Sequence, residues 1–369
     1  MKRFAAFLVA AVCLMGLAAC NKGGDPAAGP SPEPTPEAEV VIFEELPVHS
    51  DTWEDILNEE VPPPESEALV LSGTTGRERG VSFPYRPCFV CYDNAPAKRP
   101  LSGILEADIV YEAPALEGGG TRLLALFSDA YPAQCGPVGM AAADFLDVLA
   151  EWGGMLIHEG YPAVAGYPKL PADDAGARIT NAGEAAAYFF TDKGVSGNFV
   201  NLAELVPKLY VRQPAEDLRF LLAEGYPYEG ADTAGKIRLP FGGKDGEGVE
   251  YVYDPEARMY LRYQTAANGR MTGAAALSWS EEDEALKTVP LYVNNLIVQY
   301  AETGGGGLVL TGAGKCEFFV GGFHLFGTWS CEAAGSPTRY YLADGSVVTL
   351  ETGRTWIALY PADVPVTAS

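Results

Sequence analysis

Eight residues in the first half of the chain have side chains or backbone properties suited to ligand binding. They lie at or just beyond the ends of predicted strands, where ligands gather in α/β sheets. The glycines among them allow backbone N–H groups to approach a ligand closely. The sequence therefore predicts a ligand-binding site that comprises Asp93, Asn94, Glu112, Glu117, Gly118, Gly119, Arg122 and His158.

Two other interpretations of these residues stay open at the level of sequence. In the first, Glu112 and Arg122 form a buried structural pair and the glycines make a tight turn. In the second, Glu112 and Glu117 are the paired carboxylates of an enzyme that hydrolyses glycosidic bonds.

Other catalytic signatures fail at individual positions. His158-Glu159 begins like the helix of a zinc protease, but Pro162 stands where the second histidine is required and would break that helix. There is no G-x-S-x-G or S-x-x-K motif, and the chain has only 3 histidines. We expect no metal site, no cofactor and no catalytic residue.

The spacing Cys88-x-x-Cys91 resembles half of a zinc or redox motif. Residues three apart on a strand face opposite sides of the sheet, so the two thiols cannot converge. We therefore predict that both cysteines are buried core residues.

The elements that must position these residues follow from apolar periodicity. Buried strands are predicted at residues 88–92, 108–112 and 122–127. A helix is predicted at 141–152, a short strand at 155–158, and a second helix at 214–224 that Gly225 closes. This alternation predicts an N-terminal α/β-type domain with a mixed sheet and helices, residues 85–230.

Short β-rich runs dominate the chain after about Lys236. Turn residues such as Asp344-Gly345 separate the runs, which predicts a mostly antiparallel β-rich C-terminal domain, residues 236–362. The overall fold class is therefore α+β. The runs lie at 251–253, 259–263, 296–300, 307–310, 317–320, 338–342, 347–350 and 355–359.

One hairpin has a predictable register. A two-residue turn at Gly321-Gly322 pairs Val320 with Phe323. Cys316 then faces Gly327 rather than Cys331, and a disulfide needs Cα atoms within about 7 Å of each other. We predict free thiols at both cysteines.

The N-terminus has the layout of a bacterial lipoprotein signal. Residues 1–20 have a basic head, an apolar run and Leu17-Ala18-Ala19 directly before Cys20, the predicted lipidation site. The alternative is an ordinary secretory signal. Residues 21–80 are acidic and rich in proline, which predicts a disordered tether. We expect a lipid-anchored protein on the extracytoplasmic face of the cell membrane.

The charge of the chain limits its partners. The chain has 49 acidic and 25 basic residues, a formal net charge of −24. Nucleic acids and anionic lipid surfaces require clusters of lysine and arginine. The composition therefore argues against nucleic acid and against a basic membrane-binding patch.

Long motifs in both halves resemble the YerB-like bacterial lipoproteins. In the N-terminal half these are Ala107-Asp108-Ile109-Val110-Tyr111-Glu112 and Gly136-Pro137-Val138; in the C-terminal half they include Gly327-Thr328-Trp329 and Gly353-Arg354-Thr355-Trp356-Ile357. The resemblance covers about residues 86–361. It implies an extracytoplasmic lipoprotein with an N-terminal and a C-terminal domain of unknown function.

The chain departs from the pattern of that family at several cations. The resemblance implies arginines in the segment after Gly-Pro-Val, where this chain has Gly139 and Ala142, and another where it has Thr191. If those arginines hold an anion, each lost contact weakens binding by roughly 1.5–3 kcal/mol. We therefore expect a different ligand, or weaker binding.

Two functions remain after these observations. The first is a non-catalytic binding module of the cell envelope, attached to the membrane by lipid, with a cell-wall polymer or envelope protein as partner. The second is an envelope hydrolase that uses the acidic residues on cell-wall glycan. The first is favoured because no recognisable nucleophile–base or metal set is present.

Overall fold

The central element is a mixed sheet that contains strands from both halves of the chain. The computed structural model describes residues 69–80, 85–115, 120–160, 178–179, 183–192, 194–208, 220–241, 248–280, 282–304 and 307–369. These residues all belong to one compact unit, Pro64–Ser369. Strands are numbered β1 to β28 in chain order. The central sheet runs β12 (Asp232–Thr233), β24 (Phe323–Cys331), β23 (Gly312–Val320), β20 (Asn295–Ala301), β27 (Thr355–Pro361), β5 (Ile109–Pro114), β6 (Thr121–Phe127), β3 (Cys88–Tyr92), β7 (Met155–Ile157) and β8 (Arg178–Ile179), and β25 (Arg339–Leu342) pairs with β24.

The two halves meet where β27 pairs in parallel with β5. Thr355 lies opposite Ile109, and Ala358 lies opposite Glu112. The predicted domains 85–230 and 236–362 therefore contribute strands to the same sheet.

The described parts of the chain also form smaller sheets. The largest of them is antiparallel and consists of β16 (Met271–Gly273), β15 (Met259–Thr265), β14 (Val249–Asp254), β13 (Lys236–Leu239), β28 (Thr367–Ala368) and β19 (Tyr292–Val293). A three-stranded sheet contains β18 (Ala285–Pro290), β17 (Ala275–Ser280) and β4 (Leu101–Ser102). Two-stranded pairs are β1 (Leu69–Leu71) with β2 (Glu78–Gly80), β9 (Phe189–Thr191) with β10 (Asn198–Val200), β11 (Leu221–Leu222) with β26 (Thr349–Leu350), and β21 (Thr303–Gly304) with β22 (Gly307–Leu308).

Side chains alternate between two cores on the two faces of the central sheet. In β3, Cys88 and Val90 enter one core, and Phe89 and Cys91 enter the other. This confirms that Cys88 and Cys91 are buried and face opposite sides. The core of Cys88 packs against the six-stranded sheet, and we call this side the sheet-covered face. The core of Cys91 packs against the helix α1, and we call this side the helix-covered face.

Helices contribute little to the described structure. The segment α1 (Ala143–Trp152) confirms the predicted helix at 141–152; it buries Phe145, Val148 and Trp152 because they recur at helical spacing. The other α-helix among the described residues is α2 (Leu202–Leu205); short 3₁₀ turns occur at Pro96–Lys98, Ile104–Glu106, Gly183–Tyr188 and Val206–Lys208.

The fold is mostly β, and the expected α/β N-terminal domain with helices is not confirmed. The predicted helix at 214–224 is wrong where the structure describes it. Leu221–Leu222 is a strand, because it pairs in parallel with Thr349–Leu350 from far along the chain. Residues 214–219 lie outside the described residues.

The predicted register of the β23–β24 hairpin is confirmed. Val320 pairs with Phe323, Cys316 with Gly327, and Cys331 with Gly312. Both cysteines are buried free thiols, as predicted.

Candidate functional site

An open cleft lies at the end of β3, where the first residues of the predicted site follow the strand. Its volume is about 480 Å³. We call it the β3 cleft, and its polar lining comprises Asp93, Asn94, Lys98, Thr121, Arg122, Glu159 and Asn198. The structure thus brings together three of the predicted residues, Asp93, Asn94 and Arg122.

Asn94 is fixed in the wall of the cleft. It is 3% exposed; its Nδ2 donates to Oγ1 of Thr121 at 2.8 Å, and its Oδ1 accepts from Nε of Arg99 at 3.1 Å. Nη1 of Arg99 also donates to the carbonyl of Thr265 at 2.7 Å. Asn94 therefore joins the β3 end to a strand of the second half.

Arg122 points into the cleft region, but it is already paired. Its Nη1 and Nη2 donate to the two carboxylate oxygens of Asp144 at 2.6 and 2.5 Å, and its Nε donates to the carbonyl of Pro114 at 2.8 Å. The guanidinium also lies 4.8 Å from the ring centre of Phe145. Such a bidentate pair orients both groups, so Arg122 is a fixed part of the wall.

Glu112 is separated from this cleft by the sheet itself. In the β5–β6 register, Glu112 lies opposite Leu123 whereas Arg122 lies opposite Ala113. Since adjacent residues of a strand face opposite sides, Glu112 and Arg122 lie on opposite faces. The structural pair of Glu112 with Arg122 considered from the sequence is therefore not formed.

Glu112 instead pairs with Arg262 of β15 on the sheet-covered face. Its Oε2 and Oε1 accept from Nη1 and Nη2 of Arg262, each at 2.7 Å, and Nε1 of Trp356 donates to Oε2 at 2.9 Å. Both side chains are sealed, at 0% and 1% exposure. Burial alone would lower the pKa of Arg262, but the neighbouring Glu112 outweighs burial and raises it.

His158 is buried and is not among the residues that line the cleft. It is 2% exposed, and its Nδ1 accepts from the backbone nitrogen of Gly160 at 3.0 Å. Its neighbour Glu159 lines the cleft and accepts from Nδ2 of Asn198 at 2.9 Å. The remaining predicted residues, Glu117, Gly118 and Gly119, lie outside the described residues.

Three further polar residues line the cleft although no sequence pattern indicated them as site residues: Lys98, Glu159 and Asn198. Lys98 follows Asn94 by one 3₁₀ turn, and its Nζ donates to the carbonyl of Ser196 at 2.7 Å and to its hydroxyl at 2.8 Å. Lys98 is close in sequence to the end of β3, and this closeness could have identified it as a site residue. No sequence pattern indicates Asn198, because it lies on β10, which is distant from β3 in the chain and pairs with β9.

The segment after Gly136-Pro137-Val138 forms one side of the cleft, and it explains one departure from the expected arginines. A Cβ added at Gly139 would lie 2.6 Å from the backbone nitrogen of Asp93 and 2.6 Å from the backbone carbon of Tyr92. No side chain fits there without a backbone shift. Ala142 is 1% exposed, and Thr191 is exposed on β9 outside the cleft lining.

Comparisons with known proteins identify the family. The N-terminal domain model of "Protein of unknown function (DUF3048)" matches residues 74–206, and its C-terminal domain model matches residues 237–357. The chain belongs to the DUF3048 family. The β3 cleft lies within the N-terminal match, whereas the Glu112–Arg262 pair joins the two matched regions.

A curated relative and a solved structure agree with this assignment. "Putative lipoprotein YerB" of Bacillus subtilis (strain 168) is 26% identical over 292 residues, which cover 75% of this chain and 81% of the relative. The crystal structure of YerB protein from Bacillus subtilis matches with a TM-score of 0.63 at 23% identity, covering 81% of this chain and 99% of that chain. The expected resemblance to YerB-like lipoproteins is confirmed, and the solved structure supports the fold.

Within the described part of this DUF3048 chain, no helix has the length and apolar character to cross a membrane.

Proposed function

We propose that this chain is a lipid-anchored, extracytoplasmic binding protein whose β3 cleft holds a cell-wall polymer without chemical turnover. The observation that carries the proposal is an open cleft whose polar side chains are held in place by hydrogen bonds to neighbouring side chains. Arg122 is held by Asp144, Asn94 by Thr121 and Arg99, and Glu159 by Asn198. Preorganised polar walls of this kind favour recognition.

The lining of the cleft indicates the chemistry of its ligand. Lys98 and Arg122 provide donors, and Asp93 and Glu159 provide acceptors, so the wall carries both signs of charge. Hydrogen-bond donors and acceptors on one wall suit the amides, carboxylates and hydroxyls of peptidoglycan better than they suit a simple anion.

The hydrolase alternative loses one of its two carboxylates in this geometry. Glu112 faces away from the cleft and accepts two hydrogen bonds from Arg262. A general acid or nucleophile must reach the reacting bond, and Glu112 cannot do so from the opposite face of the sheet. Glu117 lies outside the described residues.

The proposed lipid attachment is inferred from Cys20 and from the lipoprotein name of the relative. Multiple acyl chains hold a protein stably at a membrane. We expect Cys20→Ala to release the protein from the membrane fraction or to leave it unprocessed. Mature Cys20→Ala protein that remains in the membrane fraction would show that the lipid anchor is wrong.

The binding proposal is tested by co-sedimentation of the full chain with purified peptidoglycan sacculi. Asp93→Ala and Lys98→Ala should each weaken binding about fivefold, because a hydrogen bond contributes about 1 kcal/mol. Asp254→Ala is the matched control. Oδ1 of Asp254 accepts from the backbone nitrogen of Glu256 at 3.0 Å, much as Oδ1 of Asp93 accepts from that of Ala95 at 3.1 Å, and Asp254 lies outside the cleft.

Each outcome decides the proposal. Binding that falls in the two cleft variants and persists in Asp254→Ala supports it. Absence of sedimentation with sacculi, or equal binding by all variants, contradicts it. Release of soluble fragments by the wild type, abolished by Glu117→Gln, would establish the hydrolase instead.

A further inference from the structure

A second and larger groove lies on the β23–β24 hairpin, well separated in sequence from the β3 cleft. Its volume is about 1190 Å³. The end of β20 at Tyr300 and the segment 362–365 form its sides. We call it the hairpin groove.

The register of the hairpin places four different side chains together in this groove. Lys315 lies opposite Thr328, and Glu317 lies opposite Phe326. Directly paired residues project from the same face of a sheet, and all four line the groove. Their neighbours Cys316 and Trp329 also border the groove, but both are buried and belong to the core on the other face.

The carboxylate of Glu317 is held in a fixed orientation. Its Oε1 accepts from the hydroxyl of Tyr300 at 2.6 Å, and its Oε2 lies 2.7 Å from Nε2 of His324. Burial would raise the pKa of Glu317, but the hydrogen bonds from His324 and Tyr300 outweigh burial and lower it. An ionised, oriented acceptor therefore faces the groove.

The same histidine also fixes the aromatic ring beside that carboxylate. His324 lies between Phe319 and Phe326, with ring centres 4.5 and 4.4 Å away. Phe326 nevertheless remains 52% exposed. Bracing of the hairpin explains the contacts of His324, but it does not explain a large apolar ring left open to an adjoining groove.

The combination of groups selects one class of ligand. Phe326 offers an apolar platform, Glu317 an acceptor, Lys315 a charged donor, and Thr328 a hydroxyl that does both. A simple cation would meet Lys315, and a phosphate-rich polymer would meet Glu317 and the nearby Glu302 and Asp363. A neutral polyhydroxylated ligand satisfies both signs at once.

The spacing of the four side chains fits a sugar ring. Residues two apart on a strand are separated by roughly 6.6 Å, and paired residues across strands by about 5 Å. We infer that the hairpin groove is a carbohydrate-binding site, in which a neutral sugar stacks on Phe326 while Glu317, Lys315 and Thr328 bind its hydroxyl groups. With a volume of about 1190 Å³, the groove also has room for neighbouring sugars of an oligosaccharide.

Calorimetric titration of the full chain with chitotriose, a neutral trisaccharide of N-acetylglucosamine, tests this site. We expect saturable binding that Phe326→Ala weakens at least about tenfold. Lys315→Ala, at an exposed position, should weaken it by a smaller factor. Trp279→Ala is the matched control, because Trp279 is an aromatic residue 58% exposed outside the groove and its loss should leave the affinity unchanged.

Three results would overturn the inference. These are absence of chitotriose binding, equal affinity in wild type and Phe326→Ala, and preferential binding of a lysine tripeptide that Phe326→Ala abolishes. The inference goes beyond the function proposed for the β3 cleft and can fail separately from it. Asp93→Ala should leave the affinity for chitotriose unchanged. In a chain that already carries Phe326→Ala, Asp93→Ala and Lys98→Ala should still weaken binding to sacculi.

Discussion

Two arginine–carboxylate pairs lie on opposite faces of the central sheet, and they differ in their exposure to solvent. Arg122 and Asp144 meet beside the open β3 cleft, with side chains 14% and 1% exposed, whereas Arg262 and Glu112 are sealed at 1% and 0%. The chemistry of the two pairs is the same. The comparison shows that solvent access, rather than residue type, separates a pair that can shape a binding wall from one that joins two halves of a fold.

The buried pair should show the largest effect when it is broken. In Arg262→Met, Glu112 keeps the hydrogen bond from Trp356 but loses its charge partner inside the core. We expect the free energy of unfolding to fall by about 4 kcal/mol, since an uncompensated buried charge costs about 3–5 kcal/mol. Urea unfolding measures this loss.

The double variant Glu112→Leu/Arg262→Met is the control for that experiment. It removes both charges together, so it should recover most of the stability lost in the single variant. A loss below about 1 kcal/mol in Arg262→Met would mean that water reaches Glu112, and the contrast between the two pairs would disappear.

A third carboxylate sharpens the comparison, because it shares α1 with Asp144 but is held differently. Glu151 is 7% exposed and accepts from the backbone nitrogen of Thr338 at 2.7 Å and from its hydroxyl at 3.0 Å. Burial raises the pKa of Glu151 to about 7, and the two hydrogen bonds from Thr338 offset burial only in part.

This shift makes stability depend on pH in a definite direction. The folded pKa of Glu151 is about 7, above the ordinary value of 4.5, so the folded state binds the proton more tightly. The contribution is fully present below about pH 4.5 and is lost as the pH rises through about 7. It amounts to roughly 3 kcal/mol.

Glu151→Gln isolates that contribution. Glutamine keeps an acceptor for Thr338 but does not titrate, so the difference in unfolding free energy between wild type and variant should change by roughly 3 kcal/mol between pH 4 and pH 8. Urea unfolding at both pH values provides the measurement. Burial also raises the pKa of Asp108 to about 7. Asp108 contributes equally to the wild type and the variant, so its effect cancels in the difference between them. Parallel pH profiles would contradict the prediction.

Of the three single variants, the one that breaks the Arg122–Asp144 pair should have the smallest effect on the free energy of unfolding. In Arg122→Ala, Asp144 keeps hydrogen bonds from the backbone nitrogens of Phe145 at 3.0 Å and Leu308 at 3.3 Å, and water can enter from the cleft. We expect a loss of about 2 kcal/mol in unfolding free energy. A loss as large as that of Arg262→Met would place Arg122 among the structural residues and remove it from the proposed binding wall.

Local patterns in the sequence predicted several elements closely. The strand at Cys88–Tyr92 has the predicted bounds, and α1 falls within the predicted 141–152. The β23–β24 register followed from the turn at Gly321-Gly322. Each of these features depends on contacts between residues near one another in the chain.

The predictions failed where distant segments meet. The expected helix at 214–224 becomes strand at Leu221–Leu222, because the edge at Thr349–Leu350 is available to pair with it. The hairpin of Ala275–Ser280 and Ala285–Pro290 was not predicted, since its short runs carry exposed and polar residues. Tertiary pairing overrides weak local preference in such segments.

The sequence by itself determined the acidic composition, the family motifs and the alternation that sends Cys88 and Cys91 to different cores. It also identified Asp93, Asn94 and Arg122 as polar groups near one strand end. Only the tertiary structure decided their partners. Glu112 and Arg262 are 150 positions apart, and they meet because β5 and β15 bring them into one core. The partner of a charged side chain depends on the sheet face from which it projects and on the layer packed against that face. Both are defined only when the sheets pack together.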